Sequence, residues 1–366
     1  MHALKRFGTA FGGYKMMENY PVPECGPDDI ILEIKAAAIC GADMKHWGVD
    51  NGYDDTNITP DQQQSVRGHE FAGEIVKVGE NVKDWHIGQR VVSDNSAHVC
   101  GVCPACEQGD FLCCEHKVNL GLDNNTWGGG FSKYCKVPGE ILAIHKHAIW
   151  EIPEGIKYEE DCVLDPICNA YKAVAQQSHL IPGQDVVVFG TGPLGLFSVQ
   201  VAKLMGAVNI VMVGLDDDVK VRFGVAKELG ATHCVNGSKE DVVARCTEIC
   251  GRDNLGLVIE CSGANIALKQ AIEMTRPNAE IVRVGMGFKP LEFSINDITA
   301  WNKSIIGHMA YDSTSWRNCI RLLQSGQIKV QPMITHRLGL SQWQEGFDKM
   351  AKKEAIKVIF HYDYED

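Results

Sequence analysis

The chain has no hydrophobic run long enough to cross a bilayer. No uncharged stretch approaches the roughly 18–20 residues that a membrane helix needs. The opening residues, Met1-His2-Ala3-Leu4-Lys5-Arg6, lead into no apolar segment of the kind that addresses a protein for export. A basic block is also missing: 35 Lys and Arg stand against 47 Asp and Glu, for a net charge of −12. A surface of that sign repels phosphate backbones and anionic lipid, which argues against nucleic-acid and membrane partners. Any phosphate the chain binds must be held locally, by backbone amides or a few cations. There is no internal repeat and no low-complexity stretch. What remains is a globular, cytoplasmic protein whose 366 residues suffice for two domains.

Cysteine, by contrast, is plentiful, with 15 in the chain. Four of them, Cys100, Cys103, Cys106 and Cys114, fall within fifteen residues. Two-residue spacers let successive thiolates turn back onto one ion, and the longer arm closes the fourth corner. Closed tetrahedral sulfur coordination is what a structural zinc takes. Gly101 and Pro104 supply the tight turns such a knuckle needs. Two disulfides are the alternative, disfavoured because thiols stay reduced in the compartment the chain points to. Cys113 sits beside Cys114, and spacing alone leaves the fourth ligand open between them. Scattered cysteines such as Cys25, Cys135, Cys234, Cys246 and Cys319 read as small core residues.

The pattern changes character along the chain. Residues 1–155 carry short apolar runs broken by Gly and Pro, such as Ile30-Ile31-Leu32-Glu33-Ile34 and Glu74-Ile75-Val76-Lys77-Val78, and predict a mostly β domain. Residues 49–65 are polar and predict a long exposed loop. From 156 to 296 strands and helices alternate. Strands are predicted over 185–189, 209–213, 257–261 and 280–284, with helices over 194–204, 219–229 and 264–275, which implies a parallel sheet covered on both faces. After 297 the pattern predicts helices over 315–324 and 342–351, a strand near His336 and another over 357–360, in a segment expected to return to the first domain.

Gly190-Thr191-Gly192-Pro193-Leu194-Gly195 follows the first of those strands and opens a helix. In that context the first Gly makes the turn, the second lets backbone approach a pyrophosphate, and the third lets helix and strand pack closely. The helix N-terminus then offers free N–H groups to the phosphates. The next strand ends at Gly214, where an acid would bond the ribose hydroxyls, and Asp216, Asp217 and Asp218 follow. The aspartates would repel a 2′-phosphate, while Lys220 and Arg222 would attract one. NAD is the expected cofactor, with NADP as the alternative.

A second set of metal-ligand types is spread further apart: Cys40, Asp43 and His46, then His69 and Glu70, then Asp165. One thiolate, one imidazole and one or two carboxylates suit a zinc that keeps a position open, with Asp43 orienting the imidazole. Taken singly, each residue also reads as ordinary core.

At this point the sequence resembles the zinc-dependent medium-chain dehydrogenases, in the sorbitol (polyol) and threonine dehydrogenase branch. The resemblance is carried by Cys-Gly-x-Asp-x-x-His at 40–46, Gly-His-Glu-Phe-Ala-Gly-Glu at 68–74, the four-cysteine lobe, Gly-Gly-Phe-Ser-Lys-Tyr at 129–134, the glycine loop, Thr335-His336-Arg337 and Ala355-Ile356-Lys357-Val358. It implies an α/β fold: a Rossmann doubly wound parallel sheet domain at 156–296 and a GroES-like, mostly β catalytic domain. The latter would be built from 1–155, with its zinc lobe at about 95–117, and completed by 297–366. It implies two zinc ions per chain, one structural and held by Cys114 rather than Cys113, one catalytic on Cys40, His69 and Glu70. Asp165 falls where the branch has Glu and is one methylene shorter; Cys168 is a nearby substitute. Ala42 stands where the family carries a proton-relay hydroxyl, leaving His46 and Glu70 to steer a water. The zinc would act as a Lewis acid on the substrate hydroxyl while hydride passes to the nicotinamide.

The expected substrate is a polyol or sugar alcohol, oxidised to a ketose by a homodimer or homotetramer. Asn51, Asp54, Asp55 and Asn57 of the 49–65 loop would suit a hydroxyl-rich ligand. Alternatives are a phosphorylated polyol, for which Arg67 and Lys45 are the available cations, a vicinal diol, and threonine. From another class, Ala42 would fit a non-catalytic zinc- and nucleotide-binding scaffold.

Overall fold

The computed structural model describes residues 1–7, 13–47, 64–123, 126–287 and 289–365, the side chains of Lys45 and His46 excepted. Asn51, Asp54, Asp55 and Asn57, and the relay role of His46, therefore lie outside the described residues. The chain divides into two compact units, one of Met1–Asp165, Asp312–Trp316 and Ile334–Asp366, the other of Pro166–Tyr311 and Arg317–Met333.

The first unit is mostly β. Its strands are β1 (Ala3–Arg6), β2 (Tyr14–Met17), β3 (Ile30–Ala38), β4 (Glu70–Val78), β5 (Arg90–Ser93), β6 (Ser96–His98), β7 (Val118–Asn119), β8 (Tyr134–Val137) and β9 (Ile149–Glu151). After the second unit's six strands come β16 (Ile334–Gly339) and β17 (Lys357–His361). A seven-stranded sheet runs β16-β17-β3-β4-β5-β9, with β8 also pairing β3. In β3, Leu32 and Ile34 are buried while Glu33 and Lys35 reach solvent, the alternation of a strand with one wet face. Leu32, Ile34, Phe71, Ile75, Phe131, Phe347 and Phe360 join one core that the last strand helps to close.

The second unit holds β10 (Val186–Phe189), β11 (Ile210–Gly214), β12 (His233–Asn236), β13 (Leu257–Glu260), β14 (Glu280–Arg283) and β15 (Ser304–Gly307). All are parallel, in the order β12-β11-β10-β13-β14-β15. Counted along the chain this is 3-2-1-4-5-6, the doubly wound order in which ligands bind beyond the carboxyl ends of the strands. Val186-Val187-Val188-Phe189 is buried throughout, which is why it reads as a continuous apolar run. The expected fold class, a doubly wound parallel sheet plus a mostly β unit, is the one observed.

Two details differ from expectation. The helix predicted from 219 begins at Arg222, because Asp216–Asp218 form a 3-10 turn whose Asp218 carboxylate accepts the Leu215 N–H at 2.8 Å. Strands β12 and β15 carry no clear sequence signal; both lie at sheet edges, where one side is wet and the apolar pattern is mixed.

Candidate metal centres and dinucleotide loop

Strand order β17-β3-β4 lays three chain segments side by side. Ala38, the last residue of β3, pairs with Glu70 on one side and Ile359 on the other. Extending β3 by two residues reaches Cys40, with Glu70 and Lys357 on the flanking strands. His69 precedes β4 and is aimed by Gly68, whose φ of +88° and 2.6 Å approach of a would-be Cβ to Phe131 admit no other residue. The result is a cluster in which one donor atom each from Cys40, His69 and Glu70 lies within 4.8 Å of the others.

Asp43 ties this corner together. It is fully buried, and its Oδ2 accepts the Cys40 N–H at 3.0 Å. Its Oδ1 lies 3.3 Å from the Arg67 guanidinium and 3.9 Å from His69 Nδ1. Arg67 also donates to the Leu122 carbonyl at 3.3 Å and is 3% exposed. It braces Asp43, and so cannot serve as the solvent-facing cation that a phosphorylated substrate was expected to find. The Lys45 side chain lies outside the described residues.

The cluster is short of positive charge. Burial pushes the Cys40 thiol up; Lys357 pulls it down, and Asp165 and Asp43 push it up further. Burial likewise pushes Glu70 well above the carboxylate range against the pull of Lys357. Burial acts to lower Lys357, yet Glu70 and Cys40 outweigh it and hold the ammonium above its ordinary value. The rise at Cys40 and Glu70 is first of all burial, whereas Lys357, raised by Glu70 and Cys40 against its own burial, reports a negative local potential. Glu70 Oε1 and His69 Nδ1 have no hydrogen-bond partner although both are buried. A divalent cation answers the negative potential and the vacant Glu70 oxygen, so the residues fit a zinc.

Asp165 is not in the cluster. Its Oδ2 accepts a hydrogen bond from Asn95 Nδ2 at 3.1 Å, and its charge pushes Cys40 and Glu70 upward. Cys168, buried in the helix Leu164–Tyr171, belongs to the second unit. Ala42 is half-buried and offers no hydroxyl. The residue that sequence reading left without a role is Lys357, which donates to Glu70 and, at 3.0 Å, to the Ile39 carbonyl. A fully buried lysine was legible only as part of an apolar closing strand.

Cys100, Cys103, Cys106 and Cys114 form the other cluster, each sulfur within 4.8 Å of the rest. The Cys114–Cys100 and Cys100–Cys106 sulfur separations are 3.6 and 4.0 Å. Four sulfurs at 2.3 Å from a zinc stand about 3.8 Å apart, whereas a disulfide bond is about 2.05 Å. Cys113 is exposed and stands outside the group. N–H donation from Val102 pulls Cys100 down to about 6, while burial pushes Cys106 up to about 12.

In the second unit, Gly190 has a φ of +93°, and Gly192 precedes the helix Pro193–Leu204, with Pro193 at its first position and Leu194 next. A Cβ on Gly195 would lie 1.8 Å from the Gly190 carbonyl oxygen, whereas one on Gly192 would meet nothing within 4 Å. The loop is thus closed at its third glycine and open at its second. At the end of β11, Asp218 turns in and is buried, pairing with Arg222 at 3.4 Å. Asp216 turns out and is held by Asn236 at 2.6 Å and Lys239 at 3.0 Å. Beyond β14 and β15 an opening of about 550 Å³ is lined by Arg283, Gly285, Met286, Lys289, Ile305 and His308. These residues were missed with their edge strand.

Comparison with known proteins follows this division. Residues 26–147 match the alcohol dehydrogenase GroES-like domain, and residues 193–325 the zinc-binding dehydrogenase family. The chain is 77% identical to the zinc-type alcohol dehydrogenase-like protein YdjL of Escherichia coli (strain K12), over 100% of both chains. It is 29% identical to a sorbitol dehydrogenase of Halalkalibacterium halodurans, over 98% of both. The crystal structure of 2R,3R-butanediol dehydrogenase from Bacillus subtilis is similar with a TM-score of 0.83 and 29% identity, covering 99% of each chain.

Proposed function

The chain belongs to the zinc-dependent medium-chain alcohol dehydrogenase family, and from that premise we propose that it oxidises a secondary alcohol of a polyol or sugar alcohol to a ketose, with NAD as hydride acceptor. The observation that carries the reading is the Cys40–His69–Glu70 cluster, with donor atoms within 4.8 Å of one another and a Glu70 oxygen left without a hydrogen-bond partner. A zinc held there supplies Lewis acidity toward the substrate hydroxyl, and a bound nicotinamide accepts the hydride. The chain's own residues do the rest. Asp43 fixes the Cys40 backbone and faces His69; Lys357 restrains Glu70; Cys100, Cys103, Cys106 and Cys114 hold a second, structural zinc. Gly190, Gly192, Pro193, Leu194 and Gly195 present the helix N-terminus to the pyrophosphate. With Ala42 lacking a hydroxyl, proton departure is assigned to a water steered by Glu70, the His46 side chain lying outside the described residues.

An unphosphorylated polyol is preferred to its phosphate because Arg67 is engaged with Asp43. The sorbitol and butanediol dehydrogenases among its relatives support a substrate with neighbouring hydroxyls. NAD is preferred to NADP because Asp218 pairs Arg222 and three aspartates crowd the ribose corner. A homo-oligomer is proposed on the free edge of β15, beside which Met286, Ile295, Trp301 and Ile305 are exposed; a second copy extending that sheet would cover them. No helix among the described residues is long and apolar enough to cross a membrane, and a cytoplasmic location is part of the proposal. The test is a panel of polyols, polyol phosphates, diols and threonine, each assayed with NAD and NADP by absorbance of the reduced nicotinamide. Turnover of a free polyol with NAD is expected. Turnover of none of these, with the protein folded and two zinc ions bound, would favour the scaffold reading.

A further inference from the structure

We infer that Asn95 is a positioning residue that holds the Asp165 carboxylate outside the donor set of the Cys40–His69–Glu70 group, so that Asp165 acts on a bound metal through charge and leaves a coordination position open. The inference rests on the zinc reading of that group. Asp165 is near enough to raise both Cys40 and Glu70, yet it places no oxygen among the clustered donors. Its Oδ2 instead accepts from the Asn95 amide at 3.1 Å. Ligation through Oδ2 would break that bond, and the same anchor limits how far Oδ1 can swing toward the cluster.

Asn95 is built to keep it. The residue is 4% exposed and has a φ of +60°, a left-handed conformation that Asn tolerates better than most side chains. Its N–H donates to Ser93 Oγ at 3.0 Å, and its carbonyl accepts the Leu120 N–H at 2.6 Å. The preceding residue, Asp94, is anchored through His145 at 2.5 Å and the Ser96 N–H at 3.0 Å. The backbone is therefore fixed from β5 on one side and from the segment after β7 on the other, and the amide direction is fixed with it. The four-cysteine lobe lies between those two attachment points in the chain, so Asn95 stands at its root. A neutral amide suits this role because it occupies a carboxylate lone pair without neutralising the charge.

The test uses the holoenzyme with cobalt(II) at the Cys40 group and zinc retained in the four-cysteine lobe, in wild type, Asn95→Ala, Asn95→Asp, Asp165→Asn and the Asn95→Ala/Asp165→Asn double variant. Asn95→Asp preserves shape and backbone preference, and serves where alanine fails to fold. We expect Asn95→Ala to free Asp165 for ligation, change the visible cobalt bands, and slow metal loss to a chelator by about tenfold. In the Asp165→Asn background the Asn95→Ala substitution should change neither, since the group it positions is gone. Asn95→Asp should also alter the bands, by repelling Asp165. Bands and metal loss in both Asn95 variants equal to wild type would overturn the inference, as would an Asn95→Ala effect that persists without Asp165. Failure of cobalt to enter the group in wild type would instead overturn the zinc reading itself, and the inference with it.

Discussion

Lys357 donates from its buried ammonium to the carboxylate of Glu70, a partner 287 positions away in the chain. The two sit on strands that flank β3, so the end of the chain supplies the counter-ion for a group formed near its beginning. Replacing Lys357 with Met should leave a buried carboxylate unpaired and lower the stability of the metal-depleted protein by about 3–5 kcal/mol. A Glu70→Gln/Lys357→Met double variant should recover much of that loss. Urea denaturation of the three proteins checks it.

Asp161 predicts a pH dependence of stability. It is fully buried, neither carboxylate oxygen has a hydrogen-bond partner, and burial raises it from 3.8 to about 8. A carboxyl raised in the folded state adds stability that is complete below the unfolded value and is lost as pH climbs through the folded one. Wild type should therefore lose up to roughly 1.4 kcal/mol per pH unit between pH 4 and 8 from this group. Asp161→Asn should remove that slope and melt at a higher temperature than wild type at pH 8.5. Thermal melts across pH 5–9 measure the difference; identical slopes would contradict it.

The glycine loop separates packing from binding. Gly195→Ala forces a Cβ to 1.8 Å from the Gly190 carbonyl oxygen and should lower both melting temperature and dinucleotide affinity. Gly192→Ala adds a methyl where nothing lies within 4 Å. It should leave the melting temperature unchanged and weaken NAD binding about tenfold, a cost of about 1.4 kcal/mol. Calorimetric titration beside thermal melts distinguishes the two.

Cys103→Ser removes one sulfur from the four-cysteine cluster. Zinc content should drop by one ion per chain and the melting temperature by about 5 °C or more, the shift of a loss near 2 kcal/mol in a domain of this size. Primary deuterium isotope effects, which read hydride transfer directly, should stay at the wild-type value. Undiminished zinc and stability would refute the structural assignment of the lobe.

What the sequence made legible depended on how local the interaction is. The four cysteines and the glycine loop are contiguous, and their spacing states the geometry. The buried central strand Val186–Phe189 is legible because both its faces are covered. The edge strands β12 and β15 were not, because half-wet strands carry no clean period. In the run Asp216-Asp217-Asp218 nothing local says which carboxylate turns in; Gly214 leaves the space that Asp218 fills. Lys357 and Asn95 were invisible as participants, since their partners lie 287 and 70 positions away and only strand pairing brings them together. Arg67 looked like a surface cation until Asp43 and burial claimed it.

We propose that a zinc on Cys40, His69 and Glu70 serves polyol oxidation. Zinc stoichiometry and NAD reduction with a polyol, measured on the same preparations of wild type and Cys40→Ser, test it most directly. Two ions per chain and turnover are predicted for wild type. For the variant, one ion, retained NAD binding and turnover lower by more than about a hundredfold are predicted, since Lewis-acid assistance is worth several kcal/mol. A folded Cys40→Ser protein that keeps wild-type turnover would contradict the account.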